Sequence, residues 1–198
     1  MIETVPSQAT DSRMLTDSHL SRRRFLQLGT ILAAGLILPP SLKAVPRPDD
    51  PGERHLKFFN THTQERLEVC YRRDGRYHRD AIAAVNNILR DHRTDEVHPI
   101  DLRLLDLLHT IRTTAGPDSC LHIISGYRSP ATNTRLRRKS RGVARKSLHM
   151  LGHAVDIRIP GVRTGKIRKI AIGLKQGGVG YYPKSDFVHV DIGRVRSW

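Results

Sequence analysis

One segment, residues 147–159, joins a turn to a strand and reads SLHMLGHAVDIRI. Gly152 permits a tight turn after His149. In residues 153–159, apolar side chains occupy every second position. This period of two predicts a strand with Asp156 on one face and Val155, Ile157 and Ile159 on the other, apolar face. A buried carboxylate without a partner is costly, so this position requires a donor or a cation.

A second segment near the end of the chain has the same character. Residues 187–192 read FVHVDI, and the period of two places His189 and Asp191 on one face of a strand. Two imidazoles and one carboxylate are the ligand set of a catalytic zinc, whose fourth position is left for water. Each residue alone is more often structural, but together they predict one Zn²⁺ per chain, held by His149, Asp156 and His189.

The remaining pattern predicts helices early in the chain and strands late. Apolar residues recur at helical spacing over 80–92 and 100–114, and the second stretch carries Leu104, Leu105, Leu108 and Ile111, with Asp101 in its first turn. Shorter helices are expected over 129–138 and 164–175. Strands are expected over 56–59, 66–71, 121–125, 153–159, 179–182 and 187–192. This order predicts an α+β fold with a small antiparallel sheet and flanking helices.

Composition bounds the possible functions. The 198 residues allow one ordinary domain, and the 38% hydrophobic share is enough for a core. The net charge of +15 favours an acidic partner, while aromatic residues at 5% make base-stacking platforms unexpected. Two cysteines, Cys70 and Cys120, exclude a four-thiolate zinc site and leave open either one disulfide or two thiols.

The first 44 residues have the pattern of an export signal. Residues 21–26 read SRRRFL, and the uncharged run over 28–38 is too short to cross a bilayer. The segment resembles a twin-arginine signal peptide, which implies export by the twin-arginine machinery to the periplasm. The match to a cleavage site at Ala44 is poor, so an uncleaved anchor remains an alternative. A Pro-rich linker over 45–54 then precedes the domain predicted for residues 55–198.

Several motifs together resemble those of the LAS metallopeptidases, the superfamily of lysostaphin-type enzymes, D-Ala-D-Ala metallopeptidases and the hedgehog signalling domain. The string S-x-H-x-x-G-x-A-x-D, met over 147–156, is similar to the first motif of the superfamily, and His189 matches the second. Residues 125–129 read SGYRS and resemble its segment on the approach to the metal. The export signal and the segment GVGYYP over 178–183 add to this resemblance. Together these motifs imply a hedgehog-like or D-Ala-D-Ala-peptidase-like fold. By the same resemblance they imply a zinc enzyme that cuts peptide crosslinks of peptidoglycan in the cell wall.

The resemblance also implies roles for individual residues. The superfamily usually has a Glu three residues before the last ligand, where this chain has the shorter Asp186. We expect Asp186 to be the general base, with Asp191 as its rival or as an orienting partner of a ligand. Arg128 is expected to steady the oxyanion or bind a substrate carboxylate. Ser125 and Tyr127 are expected to shape the substrate loop beside it.

Two further functions compete with the endopeptidase. The departure at Asp186 allows a catalytically inactive zinc domain that binds peptidoglycan, and the charge alone allows a metal-free basic adaptor on an anionic surface. The expected partners are peptidoglycan peptide stems and no nucleic acid, with a monomeric chain. Seven basic residues over 135–146 are either a docking surface for stem carboxylates or a solvated face: Arg135, Arg137, Arg138, Lys139, Arg141, Arg145 and Lys146.

Overall fold

The computed structural model describes residues 52–140 and 142–198. The predicted signal segment, 1–44, and most of the linker lie outside the described residues. The last two linker residues, Glu53 and Arg54, already belong to the first strand.

The described residues form an eight-stranded sheet and four α-helices. The strands are β1 (Glu53–Asn60), β2 (Arg66–Arg73), β3 (Arg76–Tyr77), β4 (Leu121–Ser125), β5 (Ala154–Arg158), β6 (Gly178–Tyr182), β7 (Phe187–Asp191) and β8 (Arg196–Ser197). The helices are α1 (Arg79–Ile88), α2 (Leu102–Ala115), α3 (Pro130–Lys139) and α4 (Thr164–Leu174). The strand order across the sheet is β3-β2-β1-β4-β5-β7-β6-β8.

The prediction of helices packed against a largely antiparallel sheet is confirmed, but two pairs of strands are parallel. β1 runs parallel to β4 because α1 and α2 carry the chain back across the sheet between them. The short β8 adds to the outer edge of β6, also in parallel. The sheet is larger than predicted because it also contains the two-residue strands β3 and β8. Strand β8 brings the last residues of the chain beside β6.

The helices supply the other half of the core. The predicted apolar residues of α2, Leu104, Leu105, Leu108 and Ile111, are all fully buried, and this helix packs against β1 and α4. Asp101 precedes α2 as its N-cap and accepts a hydrogen bond from the Arg103 amide, rather than lying within the first turn. Val155 and Ile157 of β5 enter the same core from the sheet.

Helix α1 ends at Ile88, earlier than the predicted 92. The carbonyl of Leu89 accepts the Tyr127 amide at 2.7 Å, and a Cβ at Gly126 would lie 2.3 Å from the Leu89 oxygen. This close approach of two chain segments ends the helix and fixes the loop that follows β4 at the edge of the metal-ligand cluster described below.

The structure leaves Cys70 and Cys120 unpaired, with both side chains partly buried. Over residues 52–140 and 142–198, no helix combines the length and apolarity needed to cross a bilayer.

Candidate metal centre

The ladder between β5 and β7 places two of the expected ligands directly opposite each other. Asp156 pairs with His189 across the antiparallel register, and the distance from Asp156 Oδ1 to His189 Nδ1 is 2.8 Å. Ser125, at the end of β4, stands opposite Asp156 on the other side of β5. The sheet register alone therefore aligns three polar residues on neighbouring strands.

The third ligand comes from a short turn rather than a strand. His149 lies in a single 3₁₀ turn, Leu148–Leu151, which ends at Gly152 in a left-handed conformation with φ of 66°. A Cβ at Gly152 would lie 2.2 Å from the Pro99 carbonyl oxygen, so only glycine fits this position. The turn brings His149 Nε2 to 3.3 Å from Asp156 Oδ1 and 3.2 Å from His189 Nδ1.

The outward-facing nitrogens of both imidazoles have hydrogen-bond partners that accept. His149 Nδ1 lies 2.7 Å from the Gly126 carbonyl oxygen, and His189 Nε2 lies 3.0 Å from Asp191 Oδ2. A carbonyl can only accept a hydrogen bond, and so can an ionised carboxylate. In the neutral imidazoles these outer nitrogens therefore carry the protons, and the inner nitrogens present lone pairs to Asp156.

With both imidazoles neutral, three lone-pair-bearing atoms converge without a hydrogen between them. His149 Nε2, His189 Nδ1 and Asp156 Oδ1 are separated by 2.8 to 3.3 Å. Ligands on a tetrahedral zinc with bonds of about 2.1 Å lie about 3.4 Å apart. All three side chains are nearly inaccessible to water, so a cation at their centre would satisfy atoms that otherwise repel one another. The donor set and its spacing fit a zinc ion.

The electrostatics of the cluster are dominated by burial and by these contacts. Burial lowers the pKa of His149. For His189, burial acts in the same direction, but the carboxylates of Asp156 and Asp191, which stabilise the protonated ring, outweigh it and raise the pKa. Burial would raise the pKa of Asp156, yet its contacts with both imidazoles hold that pKa below its usual range.

Asp191 is the partner that orients His189. It is fully buried, and its carboxylate also accepts the Gly178 and Gly193 amides and the Arg196 guanidinium. Burial alone would raise its pKa, but the hydrogen bond from His189 and those from Arg196 and the two amides lower it. Because its oxygens are occupied by these donors, Asp191 has the environment of an orienting carboxylate rather than of a proton acceptor.

Arg128 contacts the metal-ligand cluster through the outer oxygen of Asp156. Its Nη2 donates to Asp156 Oδ2 at 2.7 Å, and its Nε donates to Ser125 Oγ at 2.9 Å. The Arg128 amide donates to the carbonyl of His149. Tyr127 is buried and donates its hydroxyl to Glu96 Oε1, which fixes the loop in place.

The structure does not bring Asp186 to the other predicted site residues. Its carboxylate is 63% exposed and lies 3.7 Å from Arg158 Nη1, and the depressions that it lines contain Arg163 and Arg168 rather than the metal ligands. Its role as general base stays a prediction.

A cleft of about 280 Å³ opens over the three ligands. The loop 142–147 forms part of its lining, and of the described basic residues in 135–146 only Lys146 lines it. Arg196 and Trp198 also line this cleft, although no sequence motif indicates a role for either residue. The only sequence signal for Trp198 is that it is the single tryptophan of the chain.

A second group of ligand-type residues, Glu53, His55 and Cys70, lies on β1 and β2. These side chains already have protein partners. Glu53 accepts from His55 at 2.8 Å and is paired with Arg73, while the Cys70 thiol donates to the Arg72 carbonyl. The polar atoms of this second group therefore have hydrogen-bond partners within the protein and do not need a cation. In the group of His149, Asp156 and His189, by contrast, three lone pairs face one another.

Comparison with known proteins gives consistent matches. The family model described as peptidoglycan L,D-endopeptidase MepK matches residues 49–198. The chain is 41% identical over 182 residues to the peptidoglycan L,D-endopeptidase MepK of Escherichia coli K12, covering 90% of this chain and 97% of that protein. It is 40% identical over 179 residues to the probable peptidoglycan L,D-endopeptidase MepK of Haemophilus influenzae, covering 90% and 95%.

Proposed function

Because this chain belongs to the peptidoglycan L,D-endopeptidase MepK family, we propose that it is a zinc-dependent enzyme that hydrolyses peptide crosslinks of peptidoglycan. The chain covers nearly the full length of these relatives. The resemblance to the LAS metallopeptidases noted in the sequence is consistent with this family. The observation that carries the metal dependence is the convergence of His149 Nε2, Asp156 Oδ1 and His189 Nδ1 within 3.3 Å of one another.

The two imidazoles of His149 and His189 and the carboxylate of Asp156 would hold the proposed metal at the base of the cleft that they line. A zinc ion in such a site polarises a carbonyl and lowers the pKa of water to about 7. The protein contributes the orientation of each ligand. The Gly126 carbonyl and the Asp191 carboxylate fix the two imidazole tautomers, and Arg128 holds the outer oxygen of Asp156.

The reaction is the hydrolysis of an amide. Water supplies a hydroxyl to the carbonyl carbon and a proton to the amine nitrogen as the C–N bond breaks, so one carboxylate and one amine leave the site. Among the described residues that line the cleft, Asp156 has the only acidic side chain, and its oxygens face the two imidazoles and Arg128. To act there as general base, Asp186 would have to leave Arg158 and enter the cleft.

Substrate recognition is proposed to use charge as well as shape. Peptide stems of peptidoglycan carry free carboxylates, and Lys146 is an exposed cation at the cleft with no ion pair among residues 52–140 and 142–198. Lys146 is the member of the basic run that is best placed to bind a stem carboxylate. The other described basic residues of this run lie outside the lining of the cleft and have the character of a solvated surface.

A second candidate function is a zinc domain that binds peptidoglycan without cutting it. The observation that favours it is that the described lining residues of the cleft offer no acidic side chain besides the ligand Asp156. A metal-free basic adaptor is the third candidate, and the converging lone pairs argue against it.

One experiment separates the candidates. The purified full chain, loaded with zinc, is incubated with murein sacculi of defined crosslink type, and released muropeptides are identified by mass. We expect products cut between an L- and a D-centre, loss of activity with a chelator, and recovery with zinc. A zinc-loaded protein that binds sacculi and releases nothing would support the binding domain instead.

We further propose that the chain is a monomer of the D-Ala-D-Ala-peptidase and hedgehog fold that acts in the periplasm. The segment SRRRFL over 21–26 supports export through the twin-arginine machinery. Replacing Arg22 and Arg23 by Lys is expected to leave the protein in the cytoplasm, as measured by cell fractionation. Periplasmic recovery of that variant would contradict this route.

A further inference from the structure

Trp198 covers one side of the cleft beside a metal ligand. Its indole ring lies 5.4 Å from the His189 ring, between centroids, and 48% of the residue remains exposed. It lines the same cleft as the three ligands and Arg128. An aromatic surface this exposed beside a metal ligand is available to a bound peptide.

Several interactions hold this ring in place. The Trp198 amide donates to the Val179 carbonyl, and the Trp198 carbonyl accepts the Tyr181 amide, so the residue is paired to β6 on both sides. The indole Nε1 donates to the Tyr182 hydroxyl at 2.9 Å. The Arg196 guanidinium lies 4.9 Å from the centroid of the indole ring. The contacts with Tyr182 and Arg196 orient the indole ring beside the cleft.

The neighbouring backbone leaves room for the indole at one glycine. Gly180 lies beneath the indole, and an added Cβ would come within 2.8 Å of two ring atoms. Tyr182 and Phe187 stack on each other with ring centroids 4.5 Å apart, and both line the same cleft as Trp198. The three aromatic residues form what we term the aromatic wall: Tyr182, Phe187 and Trp198.

From this geometry we infer that Trp198 is a substrate-contacting residue, whose indole face packs against the aliphatic part of the peptide stem next to the bond that is cut. This inference rests on the proposed function. A rigid, half-exposed indole binds an aliphatic chain at little cost in conformational entropy, because its own rotamer is already fixed. Lys146 also lines this cleft, which therefore offers both an aromatic and a cationic contact to a stem with aliphatic side chains and free carboxylates.

The test compares four variants with the wild type on a soluble crosslinked muropeptide, prepared from murein by a muramidase. W198A is expected to raise KM about tenfold while kcat and the zinc content change little, as for the loss of a binding contact. W198F keeps an aromatic face and is expected to lie between W198A and the wild type. G180A adds a Cβ against both the indole and the Tyr182 ring, so it displaces part of the aromatic wall without removing a ring and is expected to raise KM as well. V195A changes an exposed residue of the same tail and is the matched control with unchanged KM.

A binding measurement completes the test without turnover. Trp198 is the only tryptophan, so the fluorescence of the metal-free wild type reports this position alone, and we expect a saturable change on addition of the muropeptide. The inference would be overturned if W198A had an unchanged KM and the wild-type emission did not change on addition of the muropeptide. It would also be overturned if W198A lost zinc and kcat together at constant KM, because that result indicates that Trp198 only supports the ligand His189. If the zinc-loaded wild type releases no product, the proposed function fails, while a saturable change in emission would still support the contact.

Discussion

His189 donates its Nε2–H to Asp191 Oδ2 over 3.0 Å, and its Nδ1 thereby faces Asp156 Oδ1 at 2.8 Å. One imidazole thus connects a fully buried carboxylate behind it to the exposed cleft in front. The tautomer that this pair enforces is the one in which Nδ1 can bind a metal.

The Asp191→Asn variant tests this arrangement. An amide in place of the carboxylate weakens the orientation of His189, so we expect zinc affinity to fall about ten- to a hundredfold. Competition with a chromophoric chelator measures the change. Because Asp191 also accepts the Gly178 and Gly193 amides, thermal unfolding of the metal-free variant serves as the control for folding. Wild-type zinc affinity in a folded variant would contradict the orienting role.

Arg128 is expected to act through its paired contacts. Its guanidinium bonds Asp156 Oδ2 and Ser125 Oγ at once, and a lysine ammonium lacks the planar fork that makes both bonds. We expect Arg128→Lys to lose about tenfold or more in kcat/KM for muropeptide release, in the range seen when an outer partner of a ligand is changed. Equal activity of the lysine variant would show that positive charge alone is sufficient.

The Asp186→Asn variant separates the sequence prediction from the observed geometry. A general base contributes about a hundredfold or more to the rate. Because Asp186 is exposed and paired with Arg158 outside the cleft, we expect the asparagine variant to keep most of its activity on sacculi. A loss of about a hundredfold, with zinc retained, would instead assign the base to this residue.

Asp91 is expected to make stability depend on pH. It is buried and accepts the amides of Ser129 at 2.9 Å and Arg93 at 3.0 Å, which ties the start of α3 to the end of the α1 region. Burial would raise the pKa of Asp91, but the hydrogen bonds to its carboxylate outweigh burial and lower that pKa. The stabilisation is therefore complete above the unfolded pKa of about 3.9 and is lost as the pH falls through the lower folded value.

Replacing Asp91 by Asn should accordingly cost about 1–2 kcal/mol of unfolding free energy at neutral pH and progressively less below about pH 4. Urea unfolding across this range measures the difference. Asp95→Asn is the matched control, because Asp95 lies in the same turn with a side chain that is 79% exposed. A difference between Asp91→Asn and wild type that grows as the pH falls would contradict the assignment.

Much of the site could be predicted because its residues stand in strongly patterned strands. The apolar alternation around Asp156 and His189 indicates strands with polar residues on one face, and their direct pairing follows once β5 and β7 are neighbours. The burial of α2 follows in the same way from its helical spacing. These features depend on local sequence periods.

Other features depend on contacts between distant segments and left no local signal. The end of α1 at Ile88 follows from the approach of Gly126 to Leu89, and the parallel pairing of β1 with β4 follows from the path of two helices. Trp198 reaches the cleft because β8 adds to the edge of the sheet. A two-residue strand has too few positions for a sequence period.

The position of Asp186 shows the same limit. The resemblance to the LAS metallopeptidases, which usually have a Glu three residues before the last ligand, implies a place beside the metal for this residue. The residue instead adopts a left-handed conformation with φ of 51° after the turn Pro183–Ser185, immediately before β7 begins. Sequence distance from a ligand therefore did not fix the direction of the side chain.

We propose that one zinc ion is held by His149, Asp156 and His189 and is required for hydrolysis. The most direct measurement is the zinc content per chain by elemental analysis, taken together with muropeptide release, for the wild type and the single alanine variants of these residues. We expect one zinc per chain in an active wild type, and loss of both zinc and activity in H189A. Full zinc occupancy in H189A, or an active wild type without stoichiometric metal, would contradict this account.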